Sequence, residues 1–172
     1  GKLTVTFPRN VGQIHIYYSP KNSGRPFNPD DKYTSKYLDV PNEPLYPFGY
    51  GLSYSDVQYS DLQVDREQVS FGDTLHVSVK VRNAGPYPAE EIVQLYTRDL
   101  VGSVTRPVKD LKDFRKVHLE TGEEKTVTFV LTADDLRFYD IDMRFVAEPG
   151  DFHVMAGPHS ADLLQTTFRL AR

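Results

Sequence analysis

The sequence predicts a mainly β protein, an antiparallel sandwich, on three observations. Segments of alternating apolar and polar residues recur at short, even intervals from about residue 57 onward. Turn formers are abundant, with 12 Pro and 11 Gly in 172 residues. Eleven Tyr and ten Phe supply side chains that suit a pleated, half-buried surface.

Residues 1–19 read as two short strands around a turn. Leu3, Val5 and Phe7 alternate with Lys2, Thr4 and Thr6, Pro8-Arg9-Asn10 interrupts, and Val11 to Tyr18 resumes with Ile14 and Ile16 on one side. Two strands alone are marginal in water, so this piece is expected to complete a sheet whose other strands lie elsewhere. Residues 20–45, dense in Pro, Asn, Asp, Ser and Gly, read as a long irregular excursion at a domain junction.

The sandwich then follows strand by strand. In Thr74 to Arg82, Leu75, Val77, Val79 and Val81 face one way, and Asn83-Ala84-Gly85-Pro86 closes the run. Ile92 to Thr97 and Phe114 to Leu119 come next. Glu120-Thr121-Gly122-Glu123 turns into Thr126 to Leu131, with Val127, Phe129 and Leu131 inward. Phe152 to Ala156 and Leu164 to Leu170 finish the chain. Asp134 to Arg137 alone suggests a helical turn, capped by Thr132 or Asp134. Roughly seven strands in about 115 residues match an immunoglobulin or fibronectin type III sandwich.

Composition excludes several classes of function. Twenty Lys+Arg against 24 Asp+Glu leave a net charge of −4, the wrong sign for the clustered basic face of a nucleic-acid binder. No apolar run reaches the ~20 residues of a membrane-spanning helix. The absence of Cys removes disulfides, thiolate zinc sites and cysteine nucleophiles. The chain starts Gly1-Lys2-Leu3, which reads as a processed start or a piece of something longer. It contains no Asn-x-Ser/Thr acceptor.

No catalytic constellation is visible. There is no Gly-x-Ser-x-Gly elbow and no Gly-rich phosphate loop. Of His15, His76, His118, His153 and His159, only the last two are near in sequence, at no metal-ligand spacing. Four of the five read as solvent-facing and His15 as a candidate interface residue. The carboxylates fall mostly in turns, and spacing alone cannot set two of them across a sugar-sized cleft. No catalytic, substrate-binding or metal-binding residue is therefore assigned, and no cofactor is expected.

One segment is unusual: Pro44 to Tyr54, in which Tyr46, Phe48, Tyr50, Leu52 and Tyr54 fall on one face of an extended chain. Gly49 and Gly51 leave the other face bare, which permits close approach of a second backbone or a ligand. The preferred reading is a hydrophobic strap at a domain interface. The alternative is an aromatic platform for stacking sugar rings.

Tyr46-Pro47-Phe48-Gly49-Tyr50-Gly51-Leu52-Ser53-Tyr54 resembles a signature of glycoside hydrolase family 3. Phe7 to Ile14, Tyr17-Tyr18 and Asn22-Ser23-Gly24-Arg25-Pro26 resemble the residues ahead of that signature. Ser103 to Leu111, Phe114 to Val117, Phe138-Tyr139-Asp140 and Ala147 to Phe152 are similar to the family's C-terminal domain. The likeness runs over essentially the whole chain and is strongest to the periplasmic β-glucosidases of Gram-negative bacteria. Three departures stand out: His15 for a usual Pro, Asp113 for a usual Gly, and His159-Ser160 for a small polar pair.

The resemblance implies a barrel domain with a nucleophilic Asp, an α/β sandwich domain with the acid/base Glu, and a terminal fibronectin type III-like domain. On that view residues 1–45 are the tail of the α/β domain, including its short strand pair. Residues 46–56 are the junction strap and 57–172 the sandwich. No position here matches the nucleophile or the acid/base. The resemblance thus implies an inactive structural module of a retaining exo-β-glucosidase, periplasmic or secreted, partnered by its own preceding domains. Through them it would serve a β-glucoside substrate. A carbohydrate-binding or surface-interaction sandwich is the competing reading, with residues 46–54 or the Tyr87-Pro88 loop as its surface.

Overall fold

The computed structural model describes residues 1–22 and 24–172; Ser23, within the Asn22–Pro26 motif, lies outside the described residues. The described residues form ten strands: β1 (Val57–Val64), β2 (Gln68–Ser70), β3 (Thr74–Asn83), β4 (Ala89–Asp99), β5 (Asp110–Leu119), β6 (Glu124–Thr132), β7 (Phe138–Tyr139), β8 (Phe145–Val146), β9 (Gly150–His159) and β10 (Asp162–Ala171). They form a three-stranded sheet in the order β1-β3-β6 and a five-stranded sheet in the order β2-β10-β9-β4-β5. β7 and β8 make a separate hairpin. All pairings are antiparallel except β2 beside β10.

The alternation read in the sequence is the alternation of burial. Leu75, Val77, Val79 and Val81 of β3 face Val127, Phe129 and Leu131 of β6 and, across the sandwich, Val93, Leu95, Phe152, Val154, Phe168 and Leu170. Phe152 and Phe168 stack with ring centroids 5.3 Å apart. Each such side chain contributes about 1.5–3 kcal/mol by leaving water. Asn83, fully buried where β3 ends, donates from Nδ2 to the Tyr87 carbonyl at 2.7 Å and to that of Leu119 at 3.2 Å. Its Oδ1 accepts from the Gly85 N–H at 3.1 Å, so one amide closes the turn predicted there. The helical turn forms over Ala133–Leu136, with Asp135 accepting from the Thr132 N–H at 2.7 Å.

The expected strand pair within residues 1–19 is not formed, which corrects that part of the fold reading. Leu3 and Phe7 pair instead with the strap: Leu3 N–H donates to Tyr50 O, Gly49 N–H to Leu3 O and Phe7 N–H to Tyr46 O, each at 2.8 Å. Val11–Gln13 is a turn of 3-10 helix. The cause is Gln13, which is fully buried and donates to the carbonyls of Pro41 and Glu43 at 2.7 and 3.3 Å. Drawing this amide inward turns Val11 and Ile14 outward, where an alternating strand would have hidden one of them.

Leu3, Tyr18, Phe48 and Gly49, from the segment ahead of β1, cover part of the outer face of the five-stranded sheet. Tyr96 is fully buried, yet it lies on the face of β4 opposite Val93 and Leu95. Tyr18 packs edge-on against it with centroids 5.8 Å apart, and Phe48 stacks on Tyr18 at 4.4 Å. β4 is therefore buried on both faces. We expect Phe129→Ala to cost about 3–5 kcal/mol and Val130→Ala, on the exposed face of the same strand, within about 0.5 kcal/mol. Shifts of the urea midpoint measure both.

Candidate functional site

The site with most polar and aromatic structure is the seam between the strap and the sandwich. Gly49 sits at its centre with φ +81°, in the left-handed region that favours glycine. A Cβ there would run into the amide of Gln94. That amide donates from Nε2 to the carbonyls of Gly49 (3.2 Å) and Pro158 (2.8 Å), and its Oε1 accepts from the Tyr96 hydroxyl. The Ser160 N–H donates to Phe48 O at 3.0 Å. One buried glutamine thus ties the strap to two strands of the five-stranded sheet, with every polar atom of its side chain engaged.

An ion pair closes one end of the seam. Lys2 Nζ lies 2.8 Å from Glu91 Oε1, with both side chains largely buried. Tyr59, on the facing sheet, donates its hydroxyl to the same oxygen at 3.2 Å. Burial, and then the Glu91 charge, push the Tyr59 hydroxyl upward from its ordinary range, so it stays a donor. Breaking such a pair from one side leaves an uncompensated buried charge. At the other end, Lys109 donates from Nζ to the Ser160 carbonyl at 2.6 Å, and burial lowers its pKa. His159 lies against Tyr50, centroids 5.6 Å apart, and burial holds its pKa below the usual imidazole value.

The five strap residues separate into two groups. Tyr46 stacks on Tyr50 at 5.2 Å and meets Phe7 edge-on at 6.4 Å, while Phe48 points to Tyr18. Leu52 and Tyr54 are 85% and 94% exposed. They do not share one face, because the chain turns at Gly49, with Tyr50 N–H donating to Pro47 O at 3.1 Å. Lys2, Glu91, Gln94 and Tyr96 were not singled out in the sequence. A Gln between two core-facing residues of a strand looks like any solvent-facing position until something is known to lie over it.

The histidines are dispersed. His118 bridges Glu90 and Glu120 on the surface, with Nδ1 and Nε2 at 2.8 and 3.0 Å, and the bonds to Glu120 and then Glu90 raise its pKa. His76 faces Asp65 at 3.3 Å. His15 is exposed on the cover. Among the described residues no three His, Asp or Glu side chains gather as a metal site. Of the departures, Asp113 falls at the register shift between β4 and β5, where its Oδ1 accepts from the Phe114 N–H at 2.7 Å. The seam offers adhesion between chain segments. It holds no pair of carboxylates across an open cleft.

Comparison with known proteins agrees with that character. Residues 91–160 match Fn3-like, the Fibronectin type III-like domain. The chain is 45% identical, over 99% of its length, to a periplasmic beta-glucosidase of Salmonella typhimurium, and covers 22% of that protein. It is 42% identical over its whole length to a putative beta-xylosidase of Formosa agariphila, again 22% of that protein. Its structure superposes on a beta-glucosidase from Listeria innocua in complex with glucose, with a TM-score of 0.92 at 43% identity, spanning 100% of this chain and 24% of that one. The chain thus spans under a quarter of the length of these relatives, and is similar to one part of them and not to the whole. No helix of the described residues is long and apolar enough to cross a membrane.

Gly49→Ala is expected to cost at least about 1–2 kcal/mol from backbone conformation alone, and more from the collision with Gln94. Thermal unfolding measures the loss. Faster tryptic cleavage after Arg9 or Lys21, with residues 57–172 left intact, would locate it at the seam.

Proposed function

We propose that this chain is the non-catalytic C-terminal module of a retaining exo-β-glucosidase. The complete enzyme would remove terminal non-reducing β-D-glucosyl residues through a covalent glycosyl-enzyme. In this reading residues 1–45 are the tail of the preceding α/β domain, 46–56 are the strap, and 57–172 are the sandwich that braces the catalytic domains. Tyr46, Phe48, Tyr50, Leu52 and Tyr54 work at that domain interface. The observation that carries the proposal is the exposed apolar surface of the cover: Val5, Phe7, Val11, Ile14, Tyr17 and Leu38 are between 42% and 96% exposed. So much exposed apolar area within one segment marks residues that are covered in the complete protein.

Sugar choice belongs to residues outside this chain. In support, the same region is nearly as similar to a putative xylosidase as to a glucosidase. The Salmonella relative's name supports a periplasmic or secreted parent, and the net charge of −4 supports no nucleic-acid role. Neither nucleophile nor acid/base is assigned here, so the isolated chain is expected to release no glucose from cellobiose or an aryl β-glucoside. Deleting residues 57–172 is expected to lower the thermal midpoint of the full-length enzyme, and an unchanged midpoint would count against bracing.

The nearly full exposure of Tyr54, with Tyr87 at 59%, favours carbohydrate binding as a second reading. Calorimetric titration of the chain with cellobiose and longer β-glucans separates the two. Bracing predicts no saturable heat, whereas heat abolished by Tyr54→Ala would establish a binding module.

A further inference from the structure

A pit of about 360 Å³ opens on the outer face of β4 and β5, beside the point where residues 2–4 cross it. Leu3, Phe48, Ile92, Leu111 and Phe114 line it, and Phe114 is 60% exposed on the edge strand. The longer polar side chains at its rim are already committed. Lys2 is held by Glu91, and Gln94 spends its amide on Gly49, Pro158 and Tyr96. A sugar needs free donors and acceptors converging on its hydroxyls, so this lining does not suit a glycan. An apolar side chain needs only the walls.

Two observations identify the occupant. The relatives carry about four-fifths of their length outside the region matched here. Lys2 is fixed by its ion pair at the mouth of the pit, so a polypeptide leading into residue 1 reaches the sandwich there. We infer that the pit receives an apolar side chain from the part of the full-length protein that precedes residue 1. The inference rests on the bracing reading and names the face and chemistry of the contact. Phe114 is then the residue of the sandwich whose exposure ends when the domains meet, and it gives β5 a covered edge instead of an open one.

The test compares Phe114→Asp in the full-length protein and in the 172-residue chain. The free chain should keep its thermal midpoint within about 1 °C, since an exposed side chain is changed, while the full-length protein should lose at least about 2 °C. An equal fall in both would show that Phe114 serves only its own module and would overturn the inference. No fall in either would also overturn it. So would a wild-type free chain that sediments as a dimer dissolved by Phe114→Asp, which would make a second copy the occupant. Deletion of residues 57–172 separates the inference from the bracing reading. A destabilising deletion beside a silent Phe114→Asp would leave bracing standing and remove the pit, whereas a neutral deletion would remove both.

Discussion

Burial of β4 on both faces is the constraint on which the rest of the molecule depends. Inward, Val93 and Leu95 join the core between the two sheets. Outward, Gln94 and Tyr96 are hidden beneath Phe48, Gly49 and Tyr18. A free-standing sandwich of this kind keeps polar residues on its outer faces, with apolar residues alternating inward. Here the outer face of the central strand is instead the floor of a third layer. The sandwich needs its cover, because without it Tyr96 would meet water and the Gln94 amide would lose the Gly49 carbonyl.

The cover is held by few interactions, each placed where loss is expensive. The described part of residues 1–50 contains little regular structure, and scattered backbone bonds, such as those of Leu3 with Tyr50, Phe7 with Tyr46 and Ser160 with Phe48, hold it at separate points. Side-chain amides and one ion pair add to them. Gln13 ties the stretch ahead of the excursion to the excursion's far end, Gln94 holds the strap, and the Lys2–Glu91 pair fixes the first residues. A buried amide with all partners present contributes modestly, but one left without partners costs about 1–3 kcal/mol. This asymmetry defines one docked position sharply. Glycine 49 completes the device, since its left-handed backbone and missing Cβ let the strap carbonyl reach Gln94.

This chain is nearly as similar to a putative beta-xylosidase as to a beta-glucosidase. The polar seam joins cover to sandwich, and the apolar surfaces of the cover and of the pit beside Phe114 are left facing outward. Internal adhesion is therefore complete while external adhesion is still on offer. Asp113, one of the three departures from the resembled pattern, does not disturb this, because its carboxylate caps the next N–H and pairs with Arg115 at 3.1 Å.

What the sequence determined by itself was the sandwich. Period-two alternation in Leu75 to Val81 and Val127 to Leu131 needs only the pleat to become a buried face, and Asn83, Gly85 and Gly122 mark turns through local chemistry. The aromatic strap was legible as unusual, and its motif named the family it resembles. The cover's path was decided by tertiary structure. Leu3 to Phe7 looks like half of a local strand pair, yet its partner is some forty residues away at Leu45 to Tyr50, because Gln13 pulls the nearer segment out of register. Gln94 and Tyr96 carried no signal either. Local periodicity says which side of a strand faces the core, whereas a second burial surface on the far side exists only once a distant segment lies across it.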